Sequence, residues 1–525
     1  MFQEIKDALK KDLTYWIISF GLMIITLVIA AINYSSTGDF SINLPWESTY
    51  GIIVYTLIIV LGLIGIFIFR KADKEKVKLE NLFLCLIIPI GIIMCLATPL
   101  GRVPDEPEHA KKAVAISNGN LFSVADENGN ATDMFNAKIN EVVSRTTATY
   151  KESWEKMNLA ETEDEIEMNY NTQALYAPIC HMPQAIGILI TRILGGGITI
   201  QMYMGRLFNF AIAVFLIYKA IKFMPSKKYL ILLISMLPVS LNILPTMSAD
   251  TLTLAMSLFY VAYILHLKYD ESIERYSKKQ KVILVISTIV ISLCKIVYVP
   301  MCLLLLVLPK EKFKSFKNKN VFVILTVLIS VILNLVWLAY CTRFLIEFNY
   351  GVNSKEQIIY ILTNPIDYIM ILFRTINFSF NTYIAGLCGD ALGMFCVKAS
   401  EIFIYICTAV ITILFFANTE EKKIKFDLFT KIIFGFIFIS IVLLIYTSLY
   451  VQWTPVKMPL IHGVQSRYFL PILLLTAIVF DNDKFIIKEK IEKYLLTFLL
   501  FFNLNVATAT IYTYYFGMLI DRYIK

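Results

Sequence analysis

Apolar runs of about twenty residues alternate along this chain with short lysine-rich clusters, a pattern suited to a bilayer rather than a soluble core. Thirteen spanning helices are predicted, at about 13–33, 49–69, 81–99, 198–222, 229–247, 251–268, 282–294, 296–309, 321–342, 400–417, 429–450, 466–481 and 494–516. The lysine clusters at 70–78, 219–228, 268–281, 310–319, 422–431 and 484–493 then share a side with the N-terminus, which the positive-inside bias makes cytoplasmic. The polar stretches 100–197, 343–399 and 451–465 fall on the opposite, extracytoplasmic side. The first run is too long for a signal-peptide core and reads as an uncleaved helix.

Five regions follow from this pattern. N-terminal membrane helices occupy 1–99, and an acidic external loop occupies 100–197. Central membrane helices fill 198–342, a second external segment 343–399, and C-terminal membrane helices 400–525. Two assignments rest on parity. The apolar stretch from His181 to Leu194 is expected as a short helix on the outer surface or dipping into it, because a crossing there would put Lys219, Lys222, Lys227 and Lys228 outside. The run 282–309 is expected as two short helices meeting near Lys295, which brings that lysine close to the outer face. Glu356 to Phe378 has the periodicity of an interfacial helix.

Composition agrees with an all-α polytopic membrane protein. Of 525 residues, 58% are hydrophobic and 17% charged, and the mean hydropathy is +0.67. The net charge of +8 resides in loop lysines, so the bilayer and not nucleic acid is the expected partner. Residues 100–180 reverse the sign, with fourteen Asp/Glu against seven Lys/Arg, and read as a small subdomain leaning on the bundle. Nine cysteines show no CxxC spacing; Cys388 and Cys396 share an external segment and either pair or lie together by coincidence.

The densest candidate chemistry is Pro104-Asp105-Glu106-Pro107-Glu108-His109, just after an apolar run. Adjacent carboxylates cannot point the same way, so one can face a cavity while the other meets solvent or a cation. A carboxylate at a low-dielectric boundary is expected to titrate high, which suits a general base; the bland alternative is an acidic turn. Asp105, Glu106 and His109, with His181, could hold a divalent cation, although capping or hydrogen bonding is the expected role of the histidines. No cofactor is otherwise implied.

Lys295 and Arg206 lie within apolar runs, where a charge costs about 2.5–3.5 kcal/mol on insertion scales. A phosphate is an obvious counter-ion for either, although snorkelling to the outer surface is the expected account of Arg206. Asp250, after Ser248-Ala249, is expected chiefly to cap a helix start. Gly463-Val464-Gln465-Ser466-Arg467-Tyr468-Phe469-Leu470-Pro471 puts an arginine beside an aromatic pair, either to grip a phosphate bidentately or to anchor at lipid headgroups.

Pro104-Asp105-Glu106-Pro107 with His109, and Gly463-x-Gln465-x-Arg467-Tyr468-Phe469-x-Pro471, resemble the motifs of a bacterial family of polytopic membrane proteins, domain of unknown function 2142. That family looks like a branch of the GT-C glycosyltransferases. Softer matches are His181-x-Pro183, Ser248-Ala249-Asp250 and Lys295-x-x-Tyr298-x-Pro300; together they span about 100–471. The chain departs from the pattern at Ser466 (usually glycine), Lys112 (arginine) and Met182 (proline).

The resemblance implies a GT-C-like fold and transfer of a sugar from a polyprenyl-phosphate donor to a cell-surface glycan on the outer side of the membrane. Asp105 would be the base, and Glu106 and His109 would orient it, the acceptor or a cation. Arg467 and Lys295 would stabilise the departing phosphate, with Tyr468, Gln465, His181 and Asp250 binding substrate. Polymerisation or ligation of a whole lipid-linked oligosaccharide is the alternative among enzymes. Transport or flipping of a lipid-linked saccharide is the alternative from another class.

Overall fold

A computed structural model describes residues 77–143, 159–344, 350–419, 424–481 and 484–488, with isolated residues elsewhere. The expected spans at 13–33, 49–69 and 494–516 lie outside the continuously described residues. Helices of six or more residues are numbered here. The first is α1 (Leu79–Ala97); α2 (Glu106–Ser117) and α3 (Met182–Ile193) flank the acidic loop.

The long α4 (Ile198–Phe223) packs on α1, α3 and α7 (Ala249–Tyr269), which makes it the central pillar. Between α4 and α7 the expected single span at 229–247 is instead two short helices, α5 (Lys228–Ser235) and α6 (Pro238–Ile243). Pro238 supplies no N–H and its ring blocks continuation of the preceding turn, so it opens a new helix. Apart from Lys228 at the start of α5 both pieces are buried, where apolar content follows from protein packing and not from lipid contact.

Downstream, α8 (Lys278–Cys294) starts in a capping box between Ser277 and Gln280 and ends at Lys295. Lys295 is extended (φ −154°, ψ 137°), and the chain resumes as a 3₁₀ run, Ile296–Val307, containing Pro300. The expected break near Lys295 is present. Next come α9 (Phe316–Cys341), α10 (Ser354–Thr363), α11 (Pro365–Leu387), α12 (Glu401–Phe416) and α13 (Leu428–Gln452). A second 3₁₀ run, Ser466–Ile472, leads into α14 (Leu473–Val479). Such runs rarely exceed one turn, and these two border the site described below.

The expectation of thirteen spans is not met among the described residues. Five helices are long and apolar enough to cross a membrane: α1, α4, α7, α9 (through Phe344) and α13. A sixth is possible if α10 and α11, bent by 107°, form one broken span. That bend also divides the single helix expected over Glu356–Phe378. Asn364 and Pro365 explain the break, because a residue preceding proline is pushed out of helical geometry.

The acidic loop is more than a loop. Three antiparallel strands, β1 (Val124–Ala125), β2 (Ala131–Asn136) and β3 (Glu165–Asn169), form a small sheet in the order β1-β2-β3. Its core joins Phe135, Ile139 and Tyr170 to Ala110, Ala113 and Val114 of α2, Ile188 of α3 and Met202 of α4. The subdomain therefore shares its apolar core with the bundle, as its composition suggested. Cys388 and Cys396 form no disulfide with each other, so that pairing is absent.

Candidate functional site

Asp105 and Glu106 point opposite ways because Asp105 adopts left-handed backbone geometry (φ 66°, ψ 0°) immediately before α2 begins. Pro107 in the first turn suits the helix start, its fixed φ being helical already. Asp is among the few non-glycine residues that tolerate the left-handed region.

Glu106 turns into the protein and meets Arg206 in a two-pronged ion pair: Nε donates to Oε1 at 2.7 Å and Nη2 to Oε2 at 2.6 Å. The backbone N–H groups of Gly101 and Met247 donate to the same carboxylate at 3.0 and 3.2 Å. Arg206 spends its remaining donors on the carbonyls of Cys95, Thr98 and Pro99 at the end of α1. All five of its N–H donors are thus engaged, and the two side chains are 0% and 1% exposed. This corrects two expectations. Arg206 does not snorkel to the surface, and Glu106 is committed to the scaffold, orienting Asp105 only through the backbone.

Asp105 faces the other way, 45% exposed, and its Oδ2 receives Nη2 of Arg467 at 2.5 Å. Arg467 also donates to the Pro104 carbonyl at 3.1 Å. Its Nε stands 3.4 Å from Oδ2 of Asp250, whose Oδ1 holds the Lys295 ammonium at 2.5 Å. Two carboxylates and two cations drawn from four distant segments thus form one chain, Asp105–Arg467–Asp250–Lys295. Asp250 does not cap α7 with its carboxylate; the Ser248 hydroxyl does so by accepting from the Asp250 N–H.

The Lys295 ammonium lies 4.8 Å from the Tyr468 ring centroid and 5.5 Å from that of Tyr176, within cation–π range. Tyr298 donates its hydroxyl to the Tyr468 carbonyl at 2.8 Å and so joins the two 3₁₀ runs. Burial alone would push the Asp105 carboxyl up, yet the Arg467 guanidinium holds it below the ordinary 3.8. The high-titrating carboxylate expected from a low-dielectric boundary is therefore not what the paired geometry gives.

His109 stands behind this cluster in α2. Its Nδ1 and Nε2 of His181 are 2.8 Å apart, so one ring donates and the other accepts. Both rings are buried, and Tyr176 packs edge-on to each. Burial pulls His109 down to about 4, against the raising influence of Asp105, and places His181 well below its ordinary value. The pair is neutral near pH 7. His181 Nδ1 finds no partner among the described residues. Asp105, Glu106 and His109 do not converge, and among the described residues no three His, Cys, Asp or Glu side chains stand where they could share a metal ion.

A cavity of about 350 Å³ opens beside the cluster. Asp105, Lys295, Tyr176, Tyr468 and Gln465 line it, and Gln465 Oε1 is buried with no hydrogen-bond partner among the described residues. Leu293, Ile296, Val297, Leu338, Ile445 and Leu449 make the lining largely apolar, with Trp337 and Trp453 in the wall and Thr172, Gln173, Asn334, Ser448 and Gln452 as further polar positions. Arg467, 6% exposed, stands behind Asp105.

The structure thus brings together Asp105, Asp250, Lys295, Gln465, Arg467 and Tyr468, keeps His109 and His181 adjacent, and removes Glu106. Tyr176, Trp337 and Trp453 were not anticipated, since none belongs to a charged or proline-marked motif. The departures from the family pattern also have addresses. Ser466 fits because Gly386 faces it: a Cβ at Gly386 would stand 2.1 Å from the Ser466 hydroxyl oxygen. Lys112 is enclosed in the subdomain, donating to Ser123 Oγ at 2.8 Å, away from the cavity lining. No curated protein and no solved structure matches the chain. Residues 86–476, which hold the whole cluster, match the family described as "Predicted membrane protein (DUF2142)", and the chain belongs to that family.

Proposed function

We propose that the protein is a membrane glycosyltransferase that moves a sugar from a polyprenyl-phosphate donor to a hydroxyl of a cell-surface glycan, on the extracytoplasmic side. The observation that carries this reading is the amphipathic cavity: a carboxylate, an ammonium and an amide oxygen set in an otherwise mostly apolar lining. A prenyl phosphate has the same mixture of character, and a sugar between its phosphate and Asp105 would lie beside those polar groups.

Asp105 takes the proton from the acceptor hydroxyl as that oxygen bonds to the anomeric carbon. The bond from that carbon to the phosphate oxygen breaks, its electron pair leaves with the prenyl phosphate, and the configuration inverts. Lys295 and Arg467 balance the charge gathering on the phosphate, where preorganised cations are worth most. Gln465 Oε1, which has no partner among the described residues, suits a sugar hydroxyl.

Asp105→Asn tests the reading, with surface glycan composition and lipid-linked sugars measured together. The expected result is loss of one sugar substituent while its lipid donor accumulates at the outer face. Donor trapped at the inner face would instead indicate a flippase. Unchanged glycan at normal protein level would sink the role given to Asp105.

A further inference from the structure

Two carboxylates share Arg467, and their situations differ. Asp250 is 12% exposed, and its second oxygen is held by Lys295. Asp105 is 45% exposed, lines the cavity, and contributes one oxygen to Arg467. Arg467 is absent from the cavity lining, so an anion coming from the cavity reaches that guanidinium past Asp105. The backbone adds a second asymmetry: Asp105 is left-handed, whereas Asp250 sits in the first turn of the long helix α7.

From this division we infer that a phosphate ester takes the place of Asp105 on Arg467, while Asp250 keeps Arg467 and Lys295 in position to receive it. The inference rests on the transferase reading and adds an order of events to it. As long as Asp105 is clasped by Arg467, its oxygen is engaged and its affinity for a proton is depressed. Once the donor phosphate occupies the guanidinium, the carboxylate is released toward the cavity and regains its basicity. Donor binding thereby prepares the base, and an acceptor arriving alone meets one that is still held. Asp250 is on this account a positioning residue, acting through the two cations.

Competition has a measurable signature. A ligand whose binding-competent state is only partly populated shows an apparent affinity reduced by that fraction. Removing the competitor's charge restores it, and asparagine preserves both size and tolerance of left-handed geometry. The test is isothermal titration of geranyl phosphate into the full-length protein in nanodiscs. Asp105→Asn should bind about tenfold more tightly than the unmodified protein. Asp250→Asn should bind more weakly, because the cations lose the anion that aligns them. Arg467→Gln should lose about tenfold or more, and adding Asp105→Asn to it should restore nothing.

Opposite signs for the two aspartates separate exchange from simple charge neutralisation, which would tighten both. Equal or weaker binding by Asp105→Asn would overturn the exchange and leave the transferase reading standing. So would tightening by both aspartate variants, or by Asp105→Asn in the Arg467→Gln background. No binding by any of the proteins, each checked for an intact thermal transition, would overturn both.

Discussion

Glu106 and Arg206, a hundred positions apart in the chain, hold each other in a two-pronged ion pair that solvent does not reach. The carboxylate is fed by two further backbone N–H groups, and the guanidinium closes the carbonyl end of α1. Removing one partner from such a pair strands the other, at about 3–5 kcal/mol. Glu106→Gln and Arg206→Met should therefore lower the thermal midpoint sharply in detergent. Asp105→Asn should cost less than either, because its own carboxylate is half-exposed and the buried Arg467 keeps Asp250 and the Pro104 carbonyl beside it. Equal midpoints for Glu106→Gln and the unmodified protein would refute the scaffold role.

The histidine pair gives a pH dependence with a definite sign. Folded, His109 titrates near 4, against an ordinary 6.5 in the unfolded chain. Between those values the unfolded chain binds more protons, so stability is complete above about pH 6.5 and declines as the pH falls toward 4. His109 alone contributes on the order of 3 kcal/mol across that window. His181, shifted in the same direction, adds to it. Chemical denaturation at pH 7 and pH 4.5 should show a larger drop for the unmodified protein than for His109→Gln. Parallel drops would remove the pair from the account.

Gly386 and Ser466 make a reciprocal prediction. Gly386→Ala puts a methyl 2.1 Å from the Ser466 hydroxyl oxygen and should cost about 1–3 kcal/mol through overpacking. Ser466→Gly removes the obstacle, so the double substitution should regain most of that loss. The measured quantity is the coupling energy in a double-mutant cycle; additive effects would mean that the two sites relax independently.

Lys295 carries the transferase reading on the phosphate side. Lys295→Met should lower turnover by about 10²–10³, the scale for losing one preorganised donor at a developing oxyanion. Lys295→Arg should retain more, since it keeps the charge near Asp250. Transfer of labelled sugar from a prenyl-phosphate donor in proteoliposomes measures both. Near-normal turnover by the methionine variant would discount the ammonium as a phosphate partner.

Local punctuation was the readable part of this chain. The break expected at Lys295 within an apolar run and the short helix expected from His181 are each found within a few residues of their place. Pro238 and the Asn364-Pro365 pair carry the same kind of mark. At both places apolar continuity suggested one helix, and backbone sterics produced two. The site's charges were legible as types; their partners were not. Nothing near Arg206 in the chain points to Glu106, and the left-handed turn at Asp105 decides which acid faces the cavity. Tyr176 was hidden for the opposite reason: a tyrosine in a polar loop carries no spacing to read, and it matters only once Lys295 and both histidines surround it.

The interruption at Lys295 also sets two demands on the chain against each other. Leucine at 295 and alanine at 300 would make 282–309 a smoother apolar segment, easier for an insertion machinery to accept. The same repair would erase the cation that meets Asp250 and the 3₁₀ run that carries Tyr298. Selection for expression alone would favour the repaired chain, so libraries screened only for yield should drift toward it and away from function. A well-expressed variant lacking this flaw is the one to distrust.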